Sequence, residues 1–395
     1  MWQKVRYEEC AWNHNPDVLV YIPKSRRRKI TPSYQAAVPA SVALASPDLS
    51  TCLIQRIEDA RAAIIRFDQN QSRKSYDLPA LILRSESSSS SQIERLTSSV
   101  RNVALAEFTD KAPENARLIA GNVAAMRAVL AQTGPITVDA ICQIHDTLMK
   151  DSGEELGLRS EQVWIGGTPY SPHEAAFVPP QASRVPSCLQ DLIVFSERDD
   201  ISPIAKAAIF HAQFETIHPF TDGNGRTGRA LLHRMLSRDE ILLHTTLPIS
   251  AGLLHDVEDY MQALAAYHDG EIEPIVERVA SALELAVVIG TRVSSDVDAI
   301  LAQWHELITE RKGSAAHRLA ALLVEYPVVN VAFVAERLDI SPRAARTLIE
   351  VACDRGILSK LGNAKRGAFY QADALLATLE EASSVNGIRR IASQA

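Results

Sequence analysis

Apolar residues recur at three- and four-residue spacing along most of the chain, the mark of amphipathic helices. Leu53, Ile57, Ala60, Ile64 and Phe67 define one helix between Leu49 and Phe67. Leu118, Ile119, Val123, Met126 and Leu130 define a second, from Asn115 to Leu130. A third runs from Thr137 to Met149, with Thr137 as N-cap and Ile141, Ile144 and Leu148 facing inward. The spacing of Ile204, Ala208, Phe214 and Ile217 predicts a helix over 201–217. Ser250–Tyr267 and Pro274–Val293 read as further helices, the last closing the core. The rhythm changes at 157–180. Val163-Trp164-Ile165-Gly166-Gly167 and Ala176-Phe177-Val178 are β-type runs on either side of a Pro- and Gly-bearing turn. Such a hairpin is marginal alone and needs the core or an incoming strand as partner.

The ends of the chain read differently. Residues 1–33 are polar, with Pro16, Pro23, Pro32 and the basic run Lys24-Ser25-Arg26-Arg27-Arg28-Lys29. They are expected to form a solvated arm, with a nucleic-acid or ATP-edge contact as the alternative. In the C-terminal third, helices are predicted at 317–324, 331–338 and 342–355, the last two joined by Asp339-Ile340-Ser341. A hairpin shape follows, with Gly356-Ile357-Leu358 and Gly367-Ala368-Phe369-Tyr370 flanking 362–366. Together these resemble a winged helix. Six basic residues (Arg343, Arg346, Arg355, Lys360, Lys365, Arg366) face two acids (Glu350, Asp354) between Pro342 and Tyr370, a local +4. That balance suits a DNA backbone, although a winged helix can equally dock protein. The tail after Glu381 is poorly specified.

Composition bounds the class. A chain of 395 residues with 46% hydrophobic content suggests two or three domains with real cores. Lys+Arg 41 against Asp+Glu 48 gives −7, so the whole chain is no polycation. The five cysteines are scattered and none forms a CxxC pair, which argues against a disulfide framework or zinc site. No apolar leader opens the chain and no run is long enough to span a bilayer, so a cytoplasmic setting is the default expectation.

The chemistry concentrates in twelve residues, His218-Pro219-Phe220-Thr221-Asp222-Gly223-Asn224-Gly225-Arg226-Thr227-Gly228-Arg229. A glycine turn runs into Ala230, Leu231, Leu232, Met235 and Leu236 at helical spacing. A loop feeding a helix N-terminus presents unpaired N–H groups and a positive dipole end, which suits phosphate. Arg226 and Arg229, three apart, share the first turn and can fork onto phosphate oxygens. Asp222 is a hard oxygen ligand for a Mg²⁺ that itself holds phosphates. His218 can take a proton near neutral pH.

This stretch resembles the Fic (Fido) signature, HPF-x-D/E-GNGR-x-x-R, with every fixed position present. The resemblance implies a mainly α fold: a helical Fic core with a β-hairpin flap, plus the winged helix-turn-helix. It implies transfer of AMP from ATP, with Mg²⁺, to a Ser, Thr or Tyr hydroxyl of a target protein or of the chain itself. His218 would deprotonate the hydroxyl, Phe220 anchor the loop, and Asp222 bind Mg²⁺. Gly223, Asn224, Gly225, Arg226, Thr227, Gly228 and Arg229 would bind ATP, with Arg229 on the γ-phosphate. Tyr260 resembles the aromatic that walls the adenine. Ile165, Gly166 and Gly167 would pair backbone to backbone with the target. Gly225 argues against a kinase branch of the family, which has lysine there.

Arg84 to Leu96 contains a serine run that leads into Ile93, Leu96 and Val100, and reads as the start of a short, serine-capped helix. It resembles the inhibitory S/T-x-x-x-E-G/N motif, with Ser90 and Glu94 in place and Arg95 where glycine or asparagine is usual. The resemblance implies that Glu94 pairs with Arg229 and holds the enzyme down. Removal of AMP, another nucleotide donor, and a DNA-binding regulator that senses nucleotide through its core remain as alternatives. A homodimer is a family-level expectation. The expected organisation is 1–85 N-terminal arm and helical region, 86–99 inhibitory helix, 100–293 core, 294–312 linker helix, 313–382 winged helix and 383–395 tail.

Overall fold

The computed structural model describes residues 2–12, 22–74, 76–132, 134–150, 152–153, 155–362 and 367–394. In chain order the elements are β1 (Arg6–Ala11), α1 (Lys24–Arg27), β2 (Ser33–Val38), α2 (Thr51–Gln71), α3 (Leu78–Ile93), α4 (Val100–Ala106), α5 (Glu114–Ala131) and α6 (Val138–Met149). Then come α7 (Val185–Ser196), α8 (Pro203–Ile217), α9 (Asn224–Arg238), α10 (Ile249–His255), α11 (Val257–His268) and α12 (Glu273–Leu307). The C-terminal elements are α13 (Ala315–Glu325), β3 (Val328–Asn330), α14 (Val331–Leu338), α15 (Pro342–Asp354), β4 (Ser359–Leu361), β5 (Phe369–Gln371), α16 (Asp373–Ser383) and α17 (Val385–Ala392). The fold is mainly helical, as the spacing predicts. Among the described residues no helix is long and apolar enough to cross a membrane.

The chain divides into two compact units. The first comprises Met1–Ile57, Ala131–Arg238 and Glu258–Val279. Its centre is α8, whose apolar side chains are almost all buried, packed between α7 and α9. Thr137 caps α6 by accepting from Ala140 N–H at 3.1 Å, as its position predicts. The N-terminal arm differs from the solvated segment expected. β1 and β2 form an antiparallel pair, with Arg6 opposite Val38 and Ala11 opposite Ser33. Val178 accepts a backbone bond from Ala37, so β2 is itself the partner of the 176–178 run. Cys10, Ala36 and Val178 are buried together beneath Tyr34 and Trp164. The two strands lie over twenty residues apart in sequence, and the intervening prolines and basic run hide the pairing. That run forms the exposed α1, and Lys29 meets Glu174 at 2.6 Å; Pro16 lies outside the described residues.

The second unit comprises Glu58–Leu130, Asp239–Val257 and Ala280–Ala395. Here α3 corrects the reading of the serine run. The helix begins at Leu78, capped by Asp77 rather than by serine, and Ser85 and Ser87 to Ser91 are buried inside it. Serine is a mediocre helix former, so this helix is held by packing and not by propensity. Small side chains let α10, α13 and α16 approach it. The boundary expected between 85 and 86 therefore falls inside α3. The helix expected over 250–267 is two, α10 and α11, broken at Asp256. The helix expected to end at Val293 runs on unbroken to Leu307, absorbing the start of the linker. The tail takes in the last residues of α16 and then α17, which buried Ile388 and Ile391 fix. From α13 the order is helix, strand, helix, helix, strand, strand, with β5 central in an antiparallel sheet β3-β5-β4. Lys365 and Arg366 lie outside the described residues.

Candidate active site

The site is built where α8 ends and α9 begins. His218 is the C-cap of α8 and occupies the left-handed region, φ 49° and ψ 63°. A non-glycine residue there is held against a cost of about 1–2 kcal/mol. Its N–H still reaches Phe214 O at 2.9 Å, which closes the helix. Phe220 is fully buried, the anchor that the resemblance implies. His145 of α6 stacks on it at 3.7 Å between ring centroids and 7° between planes. The same imidazole donates from Nε2 to Asp222 O at 3.1 Å, so His145 is a strut for the loop and not a ligand. Burial pushes its pKa down.

Asn224 closes the loop with its side chain. Its Oδ1 accepts from Phe220 N–H and its Nδ2 donates to Phe220 O, both at 2.9 Å. The side chain is thus committed to the protein, and only its N–H, with those of Gly225 and Arg226, is left to the helix N-terminus. Gly223 has φ +78°, and a Cβ there would sit 2.6 Å from Met149 Sδ. The left-handed conformation favours glycine at this turn, and any other residue would also have to push the Met149 side chain aside. Asp222 is largely exposed, and its carboxylate lies 3.3 Å from the Arg226 guanidinium. Arg226 is half-buried and Arg229 buried.

Three of the expected ATP contacts sit deeper than the sequence suggests. Gly228 faces α8, where a Cβ would meet Glu215 Oε1 at 2.6 Å and His211 at 3.1 Å. Its place is close helix packing. Thr227 is fully buried. Tyr260 is also in the core, its hydroxyl 2.7 Å from His211 Nε2. A buried ring cannot wall an adenine from that position, so the structure corrects this assignment. Burial holds His211 down to about 3, which keeps it neutral. Tyrosine at helical spacing carries no signal that separates these two roles.

The flap is slimmer than two strands. Two isolated antiparallel bridges stand in place of strands, Ile165 to Phe177 and Thr168 to Ser171. Ile165 N–H donates to Phe177 O, and Ala176 N–H to Ile165 O, each at 2.8 Å. Ile165, Gly166 and Gly167 are exposed, and both glycines have φ +74°. Phe177 stacks on His268 at 4.2 Å, and His268 Nε2 lies 3.1 Å from Thr216 Oγ1. Burial lowers His268 to about 4, so it too is neutral.

Sequence reading missed Arg159, His211 and His268. A lone arginine or histidine outside a motif has no periodic or spacing signal; burial among carbonyls is what marks Arg159. In the second unit, Ser90 is buried in α3, and Glu94 is its exposed C-cap. Arg95 follows at φ +62°, the left-handed C′ position that favours glycine or asparagine. A left-handed residue thus stands where the motif has glycine or asparagine.

Residues 135–236 match the model of the Fic/DOC family. The chain is 30% identical over 191 residues to protein adenylyltransferase fic-1 of Caenorhabditis elegans, covering 47% of this chain and 35% of that protein. It is 32% identical over 145 residues to a probable protein adenylyltransferase of Aquifex aeolicus, covering 35% of this chain and 39% of that one. The chain thus spans little more than a third of the length of these curated relatives. A Fic family protein from Desulfovibrio desulfuricans shares the fold, with a TM-score of 0.54 at 21% identity over 82% of this chain and 97% of that one.

Proposed function

We propose that the chain is a protein adenylyltransferase that moves AMP from ATP to a Ser, Thr or Tyr hydroxyl of a protein. The observation that carries this reading is the loop itself. Asn224, Phe220 and His145 fix a glycine turn at the start of α9, with His218 held at its other end. Phosphates of ATP would sit on the first-turn N–H groups of α9, with Arg226 and Arg229 on the outer oxygens. A single exposed carboxylate, Asp222, fits Mg²⁺, which keeps most of its waters and takes the rest of its ligands from phosphate. Bound there, the ion would neutralise charge on the phosphates. His218 takes the proton of the target hydroxyl as its oxygen bonds to the α-phosphorus and the bond to pyrophosphate breaks. Exposed Ile165, Gly166 and Gly167 offer backbone for the target to pair with.

Glu94 is proposed as the inhibitory residue, supported by Ser90 and Glu94 at the end of α3 and by the left-handed Arg95. The test uses wild type, Glu94→Gly and His218→Ala with α-labelled ATP and Mg²⁺, and γ-labelled ATP in parallel. The expected result is protein label from the α-position only, stronger in Glu94→Gly and absent in folded His218→Ala. Transfer retained by His218→Ala would overturn the base. Equal rates in wild type and Glu94→Gly would remove the inhibitory role. AMP released from a labelled target by wild type, and lost in Glu94→Gly, would favour removal over addition.

A second reading concerns the C-terminal elements, which we take as a winged helix-turn-helix. Arg343 and Arg346 are exposed on α15, while Arg355 is occupied by Glu310 at 2.7 Å. Duplex DNA bound in a salt-dependent way by the full chain, and lost in Arg343→Ala/Arg346→Ala, would support a DNA contact. No binding at low salt would set it aside.

A further inference from the structure

Arg159 is a buried guanidinium whose described acceptors are all backbone carbonyls. Its Nε donates to His218 O at 2.8 Å. One terminal nitrogen donates to Pro180 O at 2.5 Å and reaches Ile217 O at 3.5 Å. The other donates to Glu161 O at 2.9 Å. Its own N–H donates to Pro219 O at 3.0 Å. These carbonyls belong to three places: the chain entering the flap, the chain leaving it, and the turn from Ile217 to Pro219. No periodicity or motif in the sequence connects them.

Two features make this more than packing. His218 sits in a left-handed conformation that its side chain does not favour, and such a conformation persists only where the surroundings over-determine it. Arg159 supplies that constraint on the carbonyls of both Ile217 and His218 and on the carbonyl of Pro219. The flap, meanwhile, is held internally by two isolated bridges, Ile165 to Phe177 and Thr168 to Ser171, and would be marginal by itself. Arg159 binds a carbonyl on each side of it. The planar fork reaches several acceptors at fixed angles, which a flexible ammonium cannot reproduce. Burial lowers its pKa to about 10, so it stays charged near neutral pH.

We propose that Arg159 is a positioning residue that locks His218 in its left-handed conformation and fixes it against both ends of the flap. The consequence for activity rests on the adenylyltransferase reading: a hydroxyl presented by an extended protein segment on the flap is thereby set against the imidazole. ATP is held by other residues, since Asn224, His145 and Phe220 shape the phosphate loop without Arg159.

The test compares the full chain as wild type, Arg159→Lys and Arg159→Met by amide hydrogen exchange and by AMP transfer. Peptides covering 161–181 and 215–221 are expected to lose protection together in both variants, while α7 keeps its own. Transfer to protein is expected to fall on the order of a hundredfold in kcat, the scale of a small misplacement of reacting groups. The KM for ATP should stay within about threefold, because uniform nucleotide binding is untouched. Protection lost in the flap alone, or KM and kcat failing together, would overturn the proposal. If neither wild type nor Glu94→Gly transfers AMP, the adenylyltransferase reading fails, and the exchange result still decides whether Arg159 ties flap to His218. If Arg159→Met does not fold, Arg159→Lys is compared in wild-type and His218→Gly backgrounds. Glycine takes the left-handed conformation freely, so the melting-temperature drop should be smaller there; an equal drop in both would sink the idea.

Discussion

Two polar stretches of this chain, the glycine loop before α9 and the serine helix α3, are held in different ways. The loop's own bonds are mostly between near neighbours in sequence: Asn224 bonds Phe220 four residues back, and Asp222 meets Arg226 four residues on, with His145 and Arg159 as its more distant struts. α3 depends on residues far along the chain. Arg84 forks onto both oxygens of Glu107, at 2.7 and 2.8 Å, and donates to Glu325 O at 2.6 Å. Glu86 accepts from Ser250 N–H and Oγ, at the start of α10. Ser85 donates to Ala382 O at 3.1 Å and Gln92 to Ser383 O at 2.8 Å. The difference teaches where each will fail. A locally closed loop should lose its own order when one bond goes. A helix held by distant partners should take its unit with it.

The largest effect is therefore expected from Arg84→Met. It leaves Glu107 without its buried partner, and breaking such a pair costs about 3–5 kcal/mol. Urea unfolding should show the second unit destabilised; a loss under about 1 kcal/mol would mean that α3 is held otherwise. Asn224→Ala comes next. It strands the Phe220 N–H and C=O, roughly 2–3 kcal/mol, and should loosen 218–226 with little change elsewhere. Hydrogen exchange that spreads over all of the first unit would break the contrast between local and distant support.

The third test is acid stability, and here the sign follows from His268. Its pKa in the fold is about 4 against an ordinary 6.5. As pH falls through 6.5 the unfolded chain binds the proton first, so stability is complete above that value and is lost on the way down to about 4. His268→Asn should make the stability profile less steep between those limits, with His211 and His145, also held down by burial, supplying the remaining slope; an unaltered slope would mean that His268 does not contribute. The smallest expected effect is a gain. Arg95→Gly relieves a left-handed residue at the end of α3 and should stabilise by about 1 kcal/mol. A destabilisation would mean that the Arg95 side chain holds something that its backbone does not reveal.

Much of this protein can be read without coordinates. The apolar spacing locates α2, α5, α6 and α8 within a few residues, because a helix face repeats locally. The loop is legible for a similar reason: its glycines, Asp222 and the arginines must be neighbours in sequence to meet at one helix start. The three helices and the hairpin between α13 and β5 likewise follow from local turn and strand signals, whereas β3 carries no such signal. Other features required the tertiary structure. The serine run looks like a linker or a cap, and becomes a buried helix only because α10, α13 and α16 cover it. The N-terminal arm looks solvated until β2 meets Val178. Tyr260 looks like a ligand wall until His211 is found against its hydroxyl. Arg159 looks like any surface arginine until four carbonyls close around it. Local chemistry is fixed by residues that are adjacent in the chain, and a sequence displays it directly. Burial and long-range pairing depend on which distant surfaces come together, and that is decided only when the chain packs.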